Sequence, residues 1–366
     1  MKIIHTGDIH IGSAFVGLSA EKAALRRREL LENFRSVCEY AKAQQVSAVL
    51  IAGDLFDENT VSLRLQEQTL EWIAAAAPVC FFYVSGNHDK AMCLQGGALQ
   101  RKLPQNLFLF TDDRGWKSYD LGEEISITGA DSTRFGVAFS GVPDLPREKF
   151  NIVLLHGQIT QGVAKNKEDI ALPLLQNKNI DYLALGHIHK PMLACERLDG
   201  RGVYRYCGCL EGRGFDETGD RGFFLLDVRG GRIADERFLS FATRKVEEVR
   251  LDISACRSYF DLERLAQQAT AGVAKNNVLK LTLCGRYSVS FKKELAQLQA
   301  RLSQTFFQVK IADASKMAID VSLYEYDKTE RGEFVKEVGR YAMNEDFRAE
   351  VLEIGLLALA GEEIEI

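Results

Sequence analysis

Five short apolar runs in this chain each end abruptly in residues that bind protons or metals. They are "IIHTGDIH" (Asp8, His10), "VLIAGDLFD" (Asp54, Asp57), "FFYVSGNHD" (Asn87, His88, Asp89), "IVLLHG" (His156) and "LALGHIH" (His187, His189). A short apolar run cut off by glycine and polar residues reads as a buried strand. If all five are strands of one core, their polar ends share an edge, because open α/β sheets place their sites outside the carboxyl ends of strands. Glycine beside nearly every motif permits the tight turns and close backbone approach such an edge needs.

The stretches between these runs are helical in pattern. "SAEKAALRRRELLENFRSVCEYAKAQQ" carries Leu31, Phe34, Val37, Cys38 and Ala41 at helical spacing, with Ser19 available as N-cap. "LRLQEQTLEWIAAAA" predicts a second helix, leading into "VCFFYVSGNHD". Strand–helix–strand repetition predicts a parallel or mixed sheet with helices on both faces. From about Trp116 the pattern turns strand-rich, with "KSYDL", "ISITGA", "GVAFSGV", "NIVLLHG" and "DYLALGH" predicting a second sheet packed against the first. "GVYRYCG" and "RGFFLLDV" continue it, up to a tight turn at Gly230 and Gly231.

A chain of 366 residues predicts roughly two domains. The expected fold class is α/β (α+β): a two-sheet sandwich flanked by helices over residues 1–240, then a smaller α+β domain over 241–315. In that domain "SFKKELAQLQARL" predicts a helix with Phe291, Leu295, Leu298 and Leu302 as one apolar stripe. Residues 316–366 read as a helical, amphipathic tail ending in "EEIEI".

Composition narrows the function. Hydrophobic residues at 46% supply a sizeable core, and a net charge of −5 argues against a bulk-basic nucleic-acid coat. Polyanion contacts must then be local, through metals or basic patches such as Arg26 to Arg28 and Lys165 to Lys167. Both runs also have the ordinary reading of a solvated charged face. The start "MKIIHTGDIHIG" lacks the pattern of a signal peptide, and "WIAAAAPVCFFYV" is too short to span a bilayer. Eight cysteines without a CxxC pair predict reduced thiols and a cytoplasmic location, and "CGC" at Cys207 and Cys209 is too tight for a zinc knuckle.

The candidate ligands are Asp, His and Asn. Two Asp, one Asn and four His can fill two metal centres if one carboxylate bridges, and mixed oxygen and imidazole donors suit Mn²⁺, Fe²⁺ or Zn²⁺ better than Mg²⁺. Two metals about 3.5–4 Å apart clamp a phosphate for in-line attack, which is phosphoester hydrolysis. Each motif alone has a plainer reading: a lone histidine is more often structural, and "GD" or "GNHD" is a turn. Five of the six histidines falling in these motifs, in this order, outweighs it; His5 alone lies outside and reads as structural or supporting.

The series D-x-H, G-D, G-N-H-D, H, G-H-x-H resembles the calcineurin-like metallophosphoesterase family. "IIHTGDIHIGSAF", "GDLFD", "GHIHKP" and "CGCLEGRGFDETGDRGFFLLDV" are similar to its SbcD and YhaO branch of bacterial DNA-repair exonucleases. That resemblance implies that Asp8, His10 and His189 hold one metal, Asn87, His156 and His187 the other, and Asp54 bridges them. It implies that His88 protonates the leaving oxygen or stabilises the transition state, oriented by Asp57 or Asp89. It further implies a Mn²⁺-dependent 3′→5′ DNA exonuclease with endonuclease activity, a DNA-capping domain after about residue 245, a homodimer, and an SbcC-like coiled-coil ABC ATPase partner docked on the C-terminal helices. Two helices, from "LRLQEQTLEW" and "LQGGALQRKL", occupy the family's dimer-forming region. The branch usually has Pro-Gly-Ser where this chain has "CGC". Arg213 in "RGFDETG" reads either as a phosphate contact or as part of a salt-bridged loop. The rival expectation is a metallophosphoesterase acting on a nucleotide, cyclic nucleotide or phosphoprotein. A non-catalytic architectural role is a third, disfavoured by the intact ligand set plus His88.

Overall fold

The computed structural model describes the chain except residues 58–60, 90–93, 95–98, 100–101, 111–114, 131–142, 289–290, 320 and 362–366. The expected strand over 136–142, most of the "LQGGALQRKL" helix and the terminal "EEIEI" lie outside the described residues. The chain forms two compact units, Met1–Lys245 and Val246–Ile366.

The first unit is built on two six-stranded sheets. One runs, in spatial order, Arg232–Ser240, Gly222–Arg229, Lys2–Thr6, Ala48–Ala52, Cys80–Val84 and Leu107–Leu109. Its last four strands are mutually parallel. The other runs Glu196–Arg197, Val203–Tyr206, Tyr182–Gly186, Phe150–His156, Ile125–Gly129 and Lys117–Leu121, parallel through its centre.

Side chains alternate across a strand, and the core follows that period of two. Ile3, Leu50, Phe82 and Val84 meet Ile127, Ile152, Leu154 and Ala184 of the second sheet in one buried layer. Ile4, Val49, Ile51, Phe81 and Tyr83 point the other way, against Leu30, Phe34, Val37 and Ile73 of the helices Ala20–Ala43 and Leu63–Ala75. Among the described residues the first sheet therefore carries helices on one face, a correction to the expected two: the second sheet buries the other face. Every residue of Ala48–Ala52 is buried, as a strand between a helix layer and a sheet layer must be. Ser19 caps the first helix, its hydroxyl accepting from Lys22 N.

The second unit has a parallel three-stranded sheet, Val246–Asp252, Val278–Cys284 and Gln308–Asp313, with helices Tyr259–Ala269 and Leu295–Leu302. The second helix is shorter than its apolar stripe predicted. Glu294 takes a left-handed φ of 45°, so Phe291 reaches the same core from outside the helix. Helices Glu330–Gly339 and Glu345–Leu359 contribute Val335, Val338, Leu352 and Leu356 to that core. No helix among the described residues is long and apolar enough to cross a membrane.

Candidate metal centre

The parallel register of the central strands decides where the motifs meet. Lys2–Thr6, Ala48–Ala52 and Cys80–Val84 run the same way, so the turns holding Asp8, Asp54 and Asn87 leave one edge of the first sheet. Phe150–His156 and Tyr182–Gly186 do the same in the second sheet, with His156 paired to Gly186 and His187 following at once. The first two turns are tied together directly: Ile9 N and His10 N both donate to Asp54 O, at 2.9 and 2.8 Å.

This closeness costs backbone strain and requires glycine. Asp8, His10, Asp54 and His187 have φ of 48°, 54°, 46° and 98°, a region side chains other than glycine rarely enter, at roughly 1–3 kcal/mol each. At Gly53 (φ 84°) a Cβ would lie 2.1 Å from His156 Nδ1, and at Gly86 one would lie 2.0 Å from Asp54 Oδ1. The glycines flanking the motifs are there because the functional side chains occupy that space.

The structure brings together eight of the nine residues named from sequence as ligands or catalytic groups in an interlocking set of contacts, with Asp57 at its edge. Asp8 is buried and accepts the His187 backbone N–H on both carboxylate oxygens at 3.0 Å. Its Oδ1 is 3.8 Å from His156 Nδ1 and 3.9 Å from His189 Nε2. Asp54 Oδ2 lies 3.6 Å from His10 Nε2 and 3.5 Å from His156 Nε2, which places this carboxylate between the two halves of the site. Asn87 Oδ1 meets His156 Nε2 at 2.9 Å and His187 Nδ1 at 3.1 Å. His10 Nε2 and His189 Nε2 are 3.4 Å apart.

His88 is exposed, and its backbone N–H donates to Asp54 Oδ1 at 2.8 Å. Its ring stands edge-on to His10, with centroids 5.0 Å apart, and ligand-type atoms of His10, Asp57 and His88 lie within 4.8 Å of one another. Asp89 is committed elsewhere: its carboxylate accepts from Phe56 N, Gly86 N and the Tyr83 hydroxyl. Of the two acids considered as orienting His88, Asp57 is the one beside it.

The electrostatics pull in opposite directions. Burial, then the neighbouring Asp54 charge, pushes Asp8 well above the usual carboxylate range. Burial pushes His10, His156 and His187 below the usual histidine range. A divalent cation answers both demands, since it binds ionised carboxylates and neutral imidazoles. His156 Nδ1 lies 2.8 Å from Ala52 O, which fixes the proton there and turns the Nε2 lone pair inward. Asp8, His10 and His189 form one ligand-type group and Asp8, Asp54 and His156 another. Buried carboxylates and imidazoles converging from separate strands fit a pair of divalent ions.

Arg213 is half-buried, with its guanidinium 3.6 Å from Glu217 and 3.3 Å from His189 Nδ1. Among the basic runs, Lys165 and Lys167 are exposed, but Arg26 is not a surface cation. It is 2% exposed, pairs with Glu29 and Glu211 at 2.8 and 2.9 Å, and donates to Gly212 O. A DNA contact by Arg26 is therefore ruled out by burial, while Arg28 is exposed.

Sequence reasoning missed two carboxylates at this site. Glu217 lies 2.5 Å from His189 Nδ1, and Glu168 lies 3.9 Å from His187 Nε2. Glu217 stands in "RGFDETG", a segment noted only for its arginine; no spacing rule ties it to a histidine 28 positions earlier.

The calcineurin-like phosphoesterase model matches residues 1–191. Over 361 residues the chain is 27% identical to the DNA double-strand break repair protein Mre11 of Haloferax volcanii, covering 92% of this chain and 74% of that one. It is 22% identical over 287 residues to the SbcD component of the nuclease SbcCD of Staphylococcus epidermidis, covering 68% and 72%. It is 29% identical over 258 residues to the uncharacterized metallophosphoesterase YhaO of Bacillus subtilis, covering 64% of this chain and 59% of that relative's length. With a match across more than half its length, converging on these strand ends, the chain belongs to the calcineurin-like phosphoesterase family.

Proposed function

We propose that this protein is a two-metal, Mn²⁺-dependent phosphodiesterase acting on DNA, chiefly as a 3′→5′ exonuclease with endonuclease activity in double-strand-break repair. The observation that carries the reading is the shared edge at the ends of the parallel strands of two sheets, where buried carboxylates and imidazoles fit paired divalent ions. Similarity to an Mre11 over 92% of the chain supports DNA as substrate, as does similarity to a component of the SbcCD nuclease.

In this reading Asp8, His10 and His189 hold one ion, Asn87, His156 and His187 the other, and Asp54 joins them. When bound, such a pair neutralises phosphate charge and acidifies a water. The protein's own part is orientation and proton transfer. Asp54 Oδ1 clamps the His88 backbone, holding the ring at the exposed mouth of the site. His88 delivers a ring-nitrogen proton to the departing 3′ oxygen, and Asp57 fixes the ring by accepting from its other nitrogen. The Arg213 guanidinium adds positive charge beside His189, and the exposed Lys165 and Lys167 contact the DNA backbone. The second unit caps and binds DNA, the chain works as a homodimer, and an SbcC-like coiled-coil ABC ATPase docks on residues 316–366.

The test is a Mn²⁺ titration on end-labelled duplex and single-stranded DNA, run beside bis-p-nitrophenyl phosphate. Ladders shortening from the 3′ end are expected. Cleavage of the small diester with intact DNA would remove DNA as the substrate and point to a nucleotide or phosphoprotein instead.

A further inference from the structure

We propose that Glu217 is a positioning residue for His189, fixing that imidazole with its proton on Nδ1 and its Nε2 lone pair turned toward Asp8 and His10. The inference rests on the two-metal reading of the site and adds a member that the ligand motifs do not contain.

Glu217 Oε1 lies 2.5 Å from His189 Nδ1, a distance that requires a proton between them. The other oxygen, Oε2, accepts the Arg213 backbone N–H, also at 2.5 Å, and the Arg213 guanidinium stands 3.6 Å from Oε1. With Oε2 taken up by the Arg213 N–H and the Arg213 guanidinium beside Oε1, Glu217 is set as an acceptor on both oxygens, so the shared proton belongs to Nδ1. The 3.3 Å approach of Arg213 Nη2 to the same nitrogen is then no hydrogen bond, since both are donors; the guanidinium is held there by the Glu217 carboxylate.

The consequence falls on the far side of the ring. Nε2 lies 3.4 Å from His10 Nε2 and 3.9 Å from Asp8 Oδ1, the side on which an ion would be held. Glu217 is therefore on the wrong nitrogen to be a ligand of that ion. It also lies within 4.8 Å of Cys209 and His189 in a ligand-type group. The proton on Nδ1 removes one of the three donors, and Cys209 N donates to His189 O at 3.0 Å, so that grouping is a hydrogen-bonded support.

The other histidines explain why His189 needs such help. His10 and His156 side chains are 0% and 1% exposed and are held by packing, while His189 is 26% exposed. A half-open imidazole without an outer partner samples both tautomers and several ring angles, and loss of an outer partner typically costs about 10–100-fold in metal affinity.

The test uses the full-length protein, with Mn²⁺ affinity by calorimetry and bound metal by elemental analysis. The wild type binds two equivalents; fewer would overturn the two-metal reading and this proposal with it. Glu217→Ala is expected to weaken one equivalent about 10–100-fold and leave the other within about twofold. Unchanged affinities in that variant, beside two equivalents in the wild type, would overturn the Glu217 role alone. In the double variant with His189→Ala, affinities should match His189→Ala by itself, because Glu217 acts through that ring. Additive losses would mean an independent ligand or packing role and overturn the proposal. Glu217→Gln, which keeps the shape should Ala fail to fold, should show the same one-site loss, and Glu217→Asp should recover part of it. Nitrogen NMR of the metal-free wild type should find His189 protonated on Nδ1; protonation on Nε2 would contradict the assignment.

Discussion

Two buried charged clusters among the described residues of the first unit are built on opposite plans. Around Glu211, which is 1% exposed, every charge is answered from within the protein. Its carboxylate accepts from Arg26, Asn33, Thr243 N and Arg244 N, while Glu29 takes Arg244 at 2.6 Å. Around Asp8 and Asp54 the ion-pair partners are imidazoles, which burial keeps neutral at His10 and His156. The first cluster locks a helix, a loop and the segment 243–244 together. The second keeps its donors for a guest. Burial of charge by itself is thus no mark of function; what separates the two is whether the protein supplies the counter-charge.

The sharpest way to break that contrast is to disable each cluster and ask what is lost. His88→Ala should lower turnover by about 10²–10⁴-fold, as for a general acid, yet retain two equivalents of metal. Loss of metal in that variant would make His88 a ligand. Glu211→Ala should instead cost about 3–5 kcal/mol of stability in urea unfolding, because Arg26, Asn33 and the Thr243 and Arg244 N–H groups lose their shared buried acceptor. A stability change below about 1 kcal/mol would show that the charges around Glu211 do not form a closed network. Asp8→Asn belongs between them: with chelator present its unfolding midpoint should equal or exceed the wild type, since a like-charge pair is relieved, while metal binding is lost. A destabilised metal-free Asp8→Asn would erase the contrast.

A smaller effect concerns His5, between the sheets, with Nδ1 2.9 Å from the Tyr182 hydroxyl. Burial, then the Arg205 charge, lowers its pKa from 6.5 to about 3. The unfolded chain binds this proton below pH 6.5 and the folded chain does not, so stability is full above pH 6.5 and falls as pH drops toward 3. Chelated His5→Gln should lose at most about 1.4 kcal/mol per pH unit of that slope relative to wild type. Equal slopes in the two proteins would show that His5 titrates normally.

Much of this was legible in the sequence because it depends on local pattern. Apolar runs fix strands, and glycine–aspartate or glycine–asparagine turns fix where they stop. Parallel strands then bring those stops to one edge, so Asp8, Asp54, Asn87 and His187 could be placed together from the motifs alone. The helices on one face rather than two were not legible, since a strand buried against a sheet and one buried against a helix carry the same apolar run. Neither was Glu217, whose function depends on a loop folding back onto His189. Arg26 misled for the same reason: in "RRR" it looks like its neighbours, and only Glu211, 185 positions later, makes it a buried residue. Long-range pairing of charges leaves no periodic trace.

The most direct test of the central claim is the metal stoichiometry of the wild type beside His187→Ala and His189→Ala, by Mn²⁺ calorimetry and elemental analysis. Two equivalents are expected in the wild type, with weakening of a different single equivalent in each variant. Fewer than two equivalents in the wild type, or loss of the same equivalent in both variants, would contradict that claim.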